Sequence, residues 1–172
     1  FVSFDEAADT PSLFESIVLD SEDGKRRREL LIHLAVNQSV LLDDGKLSAS
    51  SPDELAFVAA AEYFGLEFSA RNDAQGVIQV LDKRLGVTHT IKLYAIFAYE
   101  SSRKRMSVVV ELPPALLAQV SGTSPIRVYT KGQDSVLLAA LKPGSRGSEP
   151  AAMDRLAVQL NEWADVALRT LV

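Results

Sequence analysis

His89-Thr90-Ile91-Lys92-Leu93-Tyr94-Ala95-Ile96-Phe97-Ala98-Tyr99 runs through a polar, basic knot, Glu100-Ser101-Ser102-Arg103-Lys104-Arg105, into Met106-Ser107-Val108-Val109-Val110-Glu111-Leu112. Both flanks are rich in β-branched and aromatic residues, which suit a pleated surface, and the knot between them is too short for a helical crossover. Consecutive strands joined this way pair antiparallel. Working outward, Leu66–Ser69 and Val77–Leu81 read as two earlier strands and Ile126–Tyr129 as a later one. Asn72-Asp73, Gly86 and Pro113-Pro114 punctuate the series. Helical signals lie on either side. Thr10-Pro11 opens a helix to Leu19, and Leu30, Leu31, Leu34 and Ala35 fall at helical spacing. Ser51-Pro52-Asp53-Glu54 reads as a capping box that starts a helix to Tyr63 or Phe64, with Gly65 just past its end. Asp43-Asp44-Gly45-Lys46 is a turn, Ala115–Ser124 a loop, Gln133–Leu141 a helix, Pro143–Gly147 a loop and Ala151–Ala164 a second helix. The expected fold class is α+β: a twisted antiparallel sheet flanked by helices, in a single domain covering residues 1–172.

Composition narrows the function. The chain has 172 residues, no cysteine and two histidines, His33 and His89. Disulfides and thiolate metal sites are therefore excluded, and a histidine triad is poorly supplied. A net charge of −5 argues against nucleic acid as a partner. The run Lys25-Arg26-Arg27-Arg28, flanked by Glu22, Asp23 and Glu29, reads as a solvated face. No apolar run approaches the ~20 residues of a membrane span, and Phe1 does not open a signal peptide, so the expectation is a soluble, monomeric piece.

Three segments carry chemistry beyond the fold. Tyr99 precedes the basic knot that holds Lys104. Tyr129-Thr130-Lys131-Gly132-Gln133-Asp134 takes a strand through Lys-Gly into a helix. Leu168-Arg169-Thr170-Leu171 lies near the end. An aromatic ring can stack on a nucleobase for roughly 1–3 kcal/mol. A lysine supplies a point charge for phosphate, glycine permits close backbone approach, and arginine offers a fork of donors. Read on their own, these residues equally fit a cross-strand tyrosine, a solvated strand end and an ordinary turn. No glycine-rich phosphate loop is present.

The ordered set of segments resembles the nucleotide-binding (N) domain of P-type ATPases of the phospholipid-translocating, or flippase, subfamily. Ser50-Ser51-Pro52-Asp53-Glu54-Leu55-Ala56-Phe57-Val58 is similar to that subfamily's S-S-P-D-E block, and Ser102-Arg103-Lys104-Arg105-Met106-Ser107-Val108 to its R-K-R-M-S strand. Val128-Tyr129-Thr130-Lys131-Gly132-Gln133-Asp134 is similar to its K-G turn, and Leu168-Arg169-Thr170-Leu171 to its L-R-T-L return. The resemblance covers about Ala49 to Leu171. It implies the N-domain fold and ATP binding by Glu54 at the adenine amino group, Tyr99 stacked on adenine, Lys104 beside the pocket, Lys131 and Gly132 at the K-G turn, and Arg169 at the phosphate end. It also implies magnesium carried with the nucleotide, and a catalytic aspartate in a separate phosphorylation domain. Neither a catalytic residue nor a metal ligand is expected here. The implied setting is a cytosolic domain of a membrane ATPase, working with phosphorylation and actuator domains and an accessory membrane subunit. Tyr99 stands where the family has phenylalanine, Glu100 where it has asparagine, Gln133 where it has alanine and Ala167 where it has glycine. Two alternatives stay open: another P-type subclass, and a degenerate flippase-like module serving as an interaction domain.

Overall fold

The computed structural model describes residues 20–43, 45–145 and 148–171, together with Glu15 and Ile17. The helix expected from Thr10 to Leu19 lies outside these residues apart from Glu15 and Ile17, which are both helical. Helix α1 spans Glu22–Val36, hairpin strands β1 and β2 span Leu41–Asp43 and Lys46–Ser48, and helix α2 spans Pro52–Tyr63. Five longer strands follow: β3 Leu66–Asn72, β4 Val77–Asp82, β5 Val87–Glu100, β6 Arg105–Glu111 and β7 Ile126–Gly132. Short helices α3 (Pro114–Leu117) and α4 (Asp134–Ala139) and the longer α5 (Pro150–Asp165) complete the chain.

The five strands form an antiparallel meander in chain order, β3-β4-β5-β6-β7. Each strand therefore sits beside the one before it, as short turns require. This bears out the α+β reading and all five strand expectations. The β1–β2 pair around Gly45 was expected only as a turn, because three residues per strand leave no period to detect. Part of the loop expected from Ala115 is instead the single helical turn α3.

The chain divides into two compact units, one of residues 1–96 and 108–129, the other of residues 97–107 and 130–172. The first holds the main apolar core. Ile32 and Val36 of α1, Val58 of α2, Ile78 and Val80 of β4, and Ile91 of β5 are all essentially solvent-free. Burying each such side chain contributes about 1.5–3 kcal/mol. Helix α1 starts where the Ser21 hydroxyl accepts a hydrogen bond from the Gly24 amide at 3.1 Å, with Glu22 and Asp23 complementing the positive helix end.

The basic run needs a correction. Arg26 and Lys25 do face carboxylates at the surface, but Arg28 is only 8% exposed. Its guanidinium donates to the main-chain carbonyl of Gln119 at 2.8 Å and to that of Ile17. Two carbonyls thus accept from this buried charge, and burial lowers its pKa.

In the second unit, α5 presents a half-buried stripe of Ala152, Leu156 and Leu160 at helical spacing. A 2.9 Å bond between the hydroxyls of Ser107 on β6 and Thr130 on β7 ties the two strands there.

Candidate functional site

Alternate residues of a strand share a face. On β5 the sequence His89, Ile91, Leu93, Ala95, Phe97, Tyr99 is one such face, and its burial fades along the strand. His89 and Ile91 are buried and Leu93 and Ala95 half-buried, whereas Phe97 is 49% and Tyr99 60% exposed. The strand thus delivers two aromatic rings into solvent from a face that begins in the core. The Arg103 guanidinium lies 5.5 Å from the Phe97 ring centre, within cation–π range.

Beyond Tyr99 the chain reverses tightly. The amides of Arg103 and Lys104 both donate to the Glu100 carbonyl, at 3.0 and 2.7 Å. Lys104 closes the turn with φ at +52°, a left-handed conformation that glycine or asparagine adopts more readily than lysine. Two variants separate backbone from charge at this position. Lys104→Asn is expected to keep stability within about 0.5 kcal/mol, while Lys104→Val loses about 1–2 kcal/mol, because a branched Cβ clashes in this region. Urea unfolding of both variants checks this.

The turn is held against the end of β7. The Gln133 amide donates to the Lys104 carbonyl at 3.0 Å. A Cβ placed on Gly132 would sit 2.5 Å from that same carbonyl oxygen and 2.7 Å from the Arg105 Cβ. Only glycine fits. The sequence reading assigned the Gly132 gap to a ligand; the backbone that approaches it is that of Lys104 and Arg105. This main-chain clasp sets Lys131, the preceding residue, beside the segment carrying Arg103, Lys104 and Arg105. A cationic rim next to an exposed ring can hold a phosphorylated aromatic compound.

Of the six expected residues, the second unit thus brings together Tyr99, Lys104, Lys131 and Gly132. Arg169 lies in the exposed stretch after α5. Glu54 belongs to the first unit. It is 7% exposed, and its Oε2 accepts from the Ser39 amide at 3.0 Å and the Ser39 hydroxyl at 2.5 Å. The capping box is not formed: Ser51 is the N-cap residue of α2 but its side chain makes no capping bond, and Glu54 faces Ser39 instead. Sequence reasoning missed Phe97 and Ser39. The two-residue spacing from Tyr99 signalled Phe97; nothing local signalled Ser39.

No protein-family profile matches the chain. Individual relatives do. It is 34% identical over 164 residues to human phospholipid-transporting ATPase ID, covering 94% of this chain and 12% of that protein. It is 36% identical over 134 residues, 76% of this chain and 10% of the relative, to probable phospholipid-transporting ATPase 12 of Arabidopsis thaliana. Against phospholipid-transporting ATPase DNF1 of Saccharomyces cerevisiae it is 32% identical over 149 residues, 82% of this chain and 9% of the relative.

The chain belongs to the phospholipid-transporting P-type ATPase family.

It spans about a tenth of the length of the family members it matches. Among the described residues, no helix is long and apolar enough to cross a membrane. Those residues also hold no group of three histidine, cysteine, aspartate or glutamate side chains suited to a metal ion.

Proposed function

We propose that this segment is the nucleotide-binding domain of a flippase, and that it binds ATP and positions its γ-phosphate for transfer. The acceptor is a catalytic aspartate in a separate phosphorylation domain, where an aspartyl-phosphate would form. The observation that carries the reading is the main-chain clasp, which fixes the Lys131 and Lys104 segments to each other at the turn that follows the exposed Tyr99 ring. Tyr99 stacks on adenine, the two lysines face the anionic part of the ligand, and Glu54 and Arg169 act at the adenine amino group and the phosphate end. The donor set of the clasp is cationic and does not suit magnesium by itself; the ion arrives on the phosphates and takes its protein ligands from the phosphorylation domain. The complete protein, with actuator domain, membrane helices and an accessory subunit, moves phospholipid between leaflets, and this segment faces the cytosol.

Amide chemical-shift titration of the chain with ATP, GTP and AMP tests the proposal. Saturable shifts around Tyr99, Lys104 and Lys131 are expected, larger with ATP than with GTP. Lys131→Ala and Tyr99→Ala should each weaken ATP binding roughly tenfold, about 1.4 kcal/mol. A folded chain that shows no shifts at several millimolar ATP would overturn the reading in favour of an interaction module.

A further inference from the structure

Phe97 and Tyr99 are alternate residues of β5, so their side chains leave one face of the strand about 6.6 Å apart. Side chains rooted at that separation can take one planar group between them, since carbon surfaces meet at about 3.5 Å on each side. The turn that follows brings Arg103 back to this place. Its guanidinium carbon lies 5.5 Å from the centre of the Phe97 ring, and its Nη1 donates at 3.5 Å to the carbonyl of Ala98, the residue between the two rings. The side chain lies down against the strand: Arg103 is half-buried, whereas its neighbours Ser101, Ser102 and Lys104 are exposed. A planar cation therefore covers Phe97 beside the spot that a stacked base would take. Both of these contacts are weak. A cation over an exposed phenylalanine ring is a small attraction, and 3.5 Å is the outer limit of a hydrogen bond.

We propose that Phe97 and Arg103 complete the base site. Adenine displaces the Arg103 guanidinium from the Phe97 ring and stacks against Phe97 and Tyr99, and the released guanidinium meets the phosphates. The inference rests on the nucleotide reading given above and adds two residues to it. A planar base can replace a planar cation on the same ring face. Once released, the guanidinium is anchored next to Lys104 in the turn, where its fork of donors matches phosphate oxygens. Arg103 thus opposes the bare base and favours its phosphates. The site discriminates against adenosine, which offers the displaced cation no anion.

Titration of the 172-residue chain with adenosine, AMP and ATP, followed through amide and arginine side-chain Nε–H resonances, tests this. In the unliganded chain the Arg103 Nε proton is expected upfield of its ordinary position because it feels the Phe97 ring, and Phe97→Leu should abolish that displacement. Saturating adenosine or ATP should abolish it too. Arg103→Ala should tighten adenosine about threefold, since a cation–π contact no longer has to be broken. The same variant should weaken ATP about threefold, because the lost phosphate contact outweighs that gain. AMP should fall between the two. In a Phe97→Leu background, Arg103→Ala should leave adenosine binding unchanged. Arg103→Lys should recover part of the ATP affinity, and circular dichroism should show all variants folded. An Arg103 Nε proton unmoved by saturating ATP, or an Arg103→Ala variant that changes adenosine and ATP binding alike, would overturn the proposal. In either case, ATP shifts at Tyr99 and Lys131 would leave the nucleotide reading standing. No ATP-induced shift at any residue would overturn both.

Discussion

Gly132→Ala should be the most damaging single-methyl change in the second unit, lowering stability by about 3 kcal/mol. The added carbon would lie 2.5 Å from the Lys104 carbonyl oxygen and 2.7 Å from the Arg105 Cβ, far inside van der Waals contact. Neither neighbour is the far end of a flexible side chain. One is main chain and the other is rooted to it, so relief requires the Glu100–Lys104 turn to move away from β7. That movement would also break the 3.0 Å bond from the Gln133 amide to the Lys104 carbonyl. Guanidinium unfolding should show a lower midpoint at an unchanged slope. ATP-induced shifts should weaken even though no proposed side-chain contact has been removed. A variant as stable as the parent would mean that the turn is loosely held and the clasp does not position the lysines.

Glu54→Ala is expected to cost a similar amount, about 3 kcal/mol, for a different reason. The carboxylate is buried, and through Oε2 it satisfies both the amide and the hydroxyl of Ser39. Removing it strands a main-chain donor just before Val40 and the β1–β2 hairpin. Glu54→Gln keeps an acceptor oxygen and should recover about half of the loss. The pair also divides two roles. If Glu54 does no more than hold Ser39, the Gln variant will bind ATP like the parent once allowance is made for stability. If it also accepts from the adenine amino group, ATP binding will fall while binding of a nucleotide without that amino group will not. Loss of less than 1 kcal/mol in the Ala variant would show that water replaces the carboxylate at Ser39.

The architecture was readable because the signals that specify it are local. The runs around Ile91 and Val108 alternate or cluster β-branched residues, and the punctuating Asn72, Gly86 and Pro113 break them at the observed ends. Ser51-Pro52 and Gly65 likewise bracket α2, and Gly65 takes the left-handed φ of +100° that its position after the helix demands. Three features were not readable, and each depends on a partner remote in sequence. Arg28 looks like part of a wet basic face until the Gln119 carbonyl, 91 residues away, is placed beside it. Glu54 satisfies every local rule for a capping box, yet an acceptor-hungry Ser39, 15 residues earlier, takes its oxygen instead. Gly132 in a Lys-Gly pair suggests a gap for a ligand, and only the fold shows that the main chain of Lys104 occupies it. In each of these three cases the residue type is local, while the partner it meets is set by the fold.

The fading cover along β5 has a thermodynamic consequence. Phe97 and Tyr99 sit on a strand next to β6, where backbone freedom has already been surrendered in folding. A ligand that stacks there has little chain to order, so its binding entropy is less unfavourable than at a mobile loop. The cost falls on the empty state, which must keep two rings in water, and an exposed aromatic patch of that kind lowers solubility. The segment should therefore be easiest to concentrate when the rings are covered, and any ligand that stacks on them should act on it as a solubilising agent.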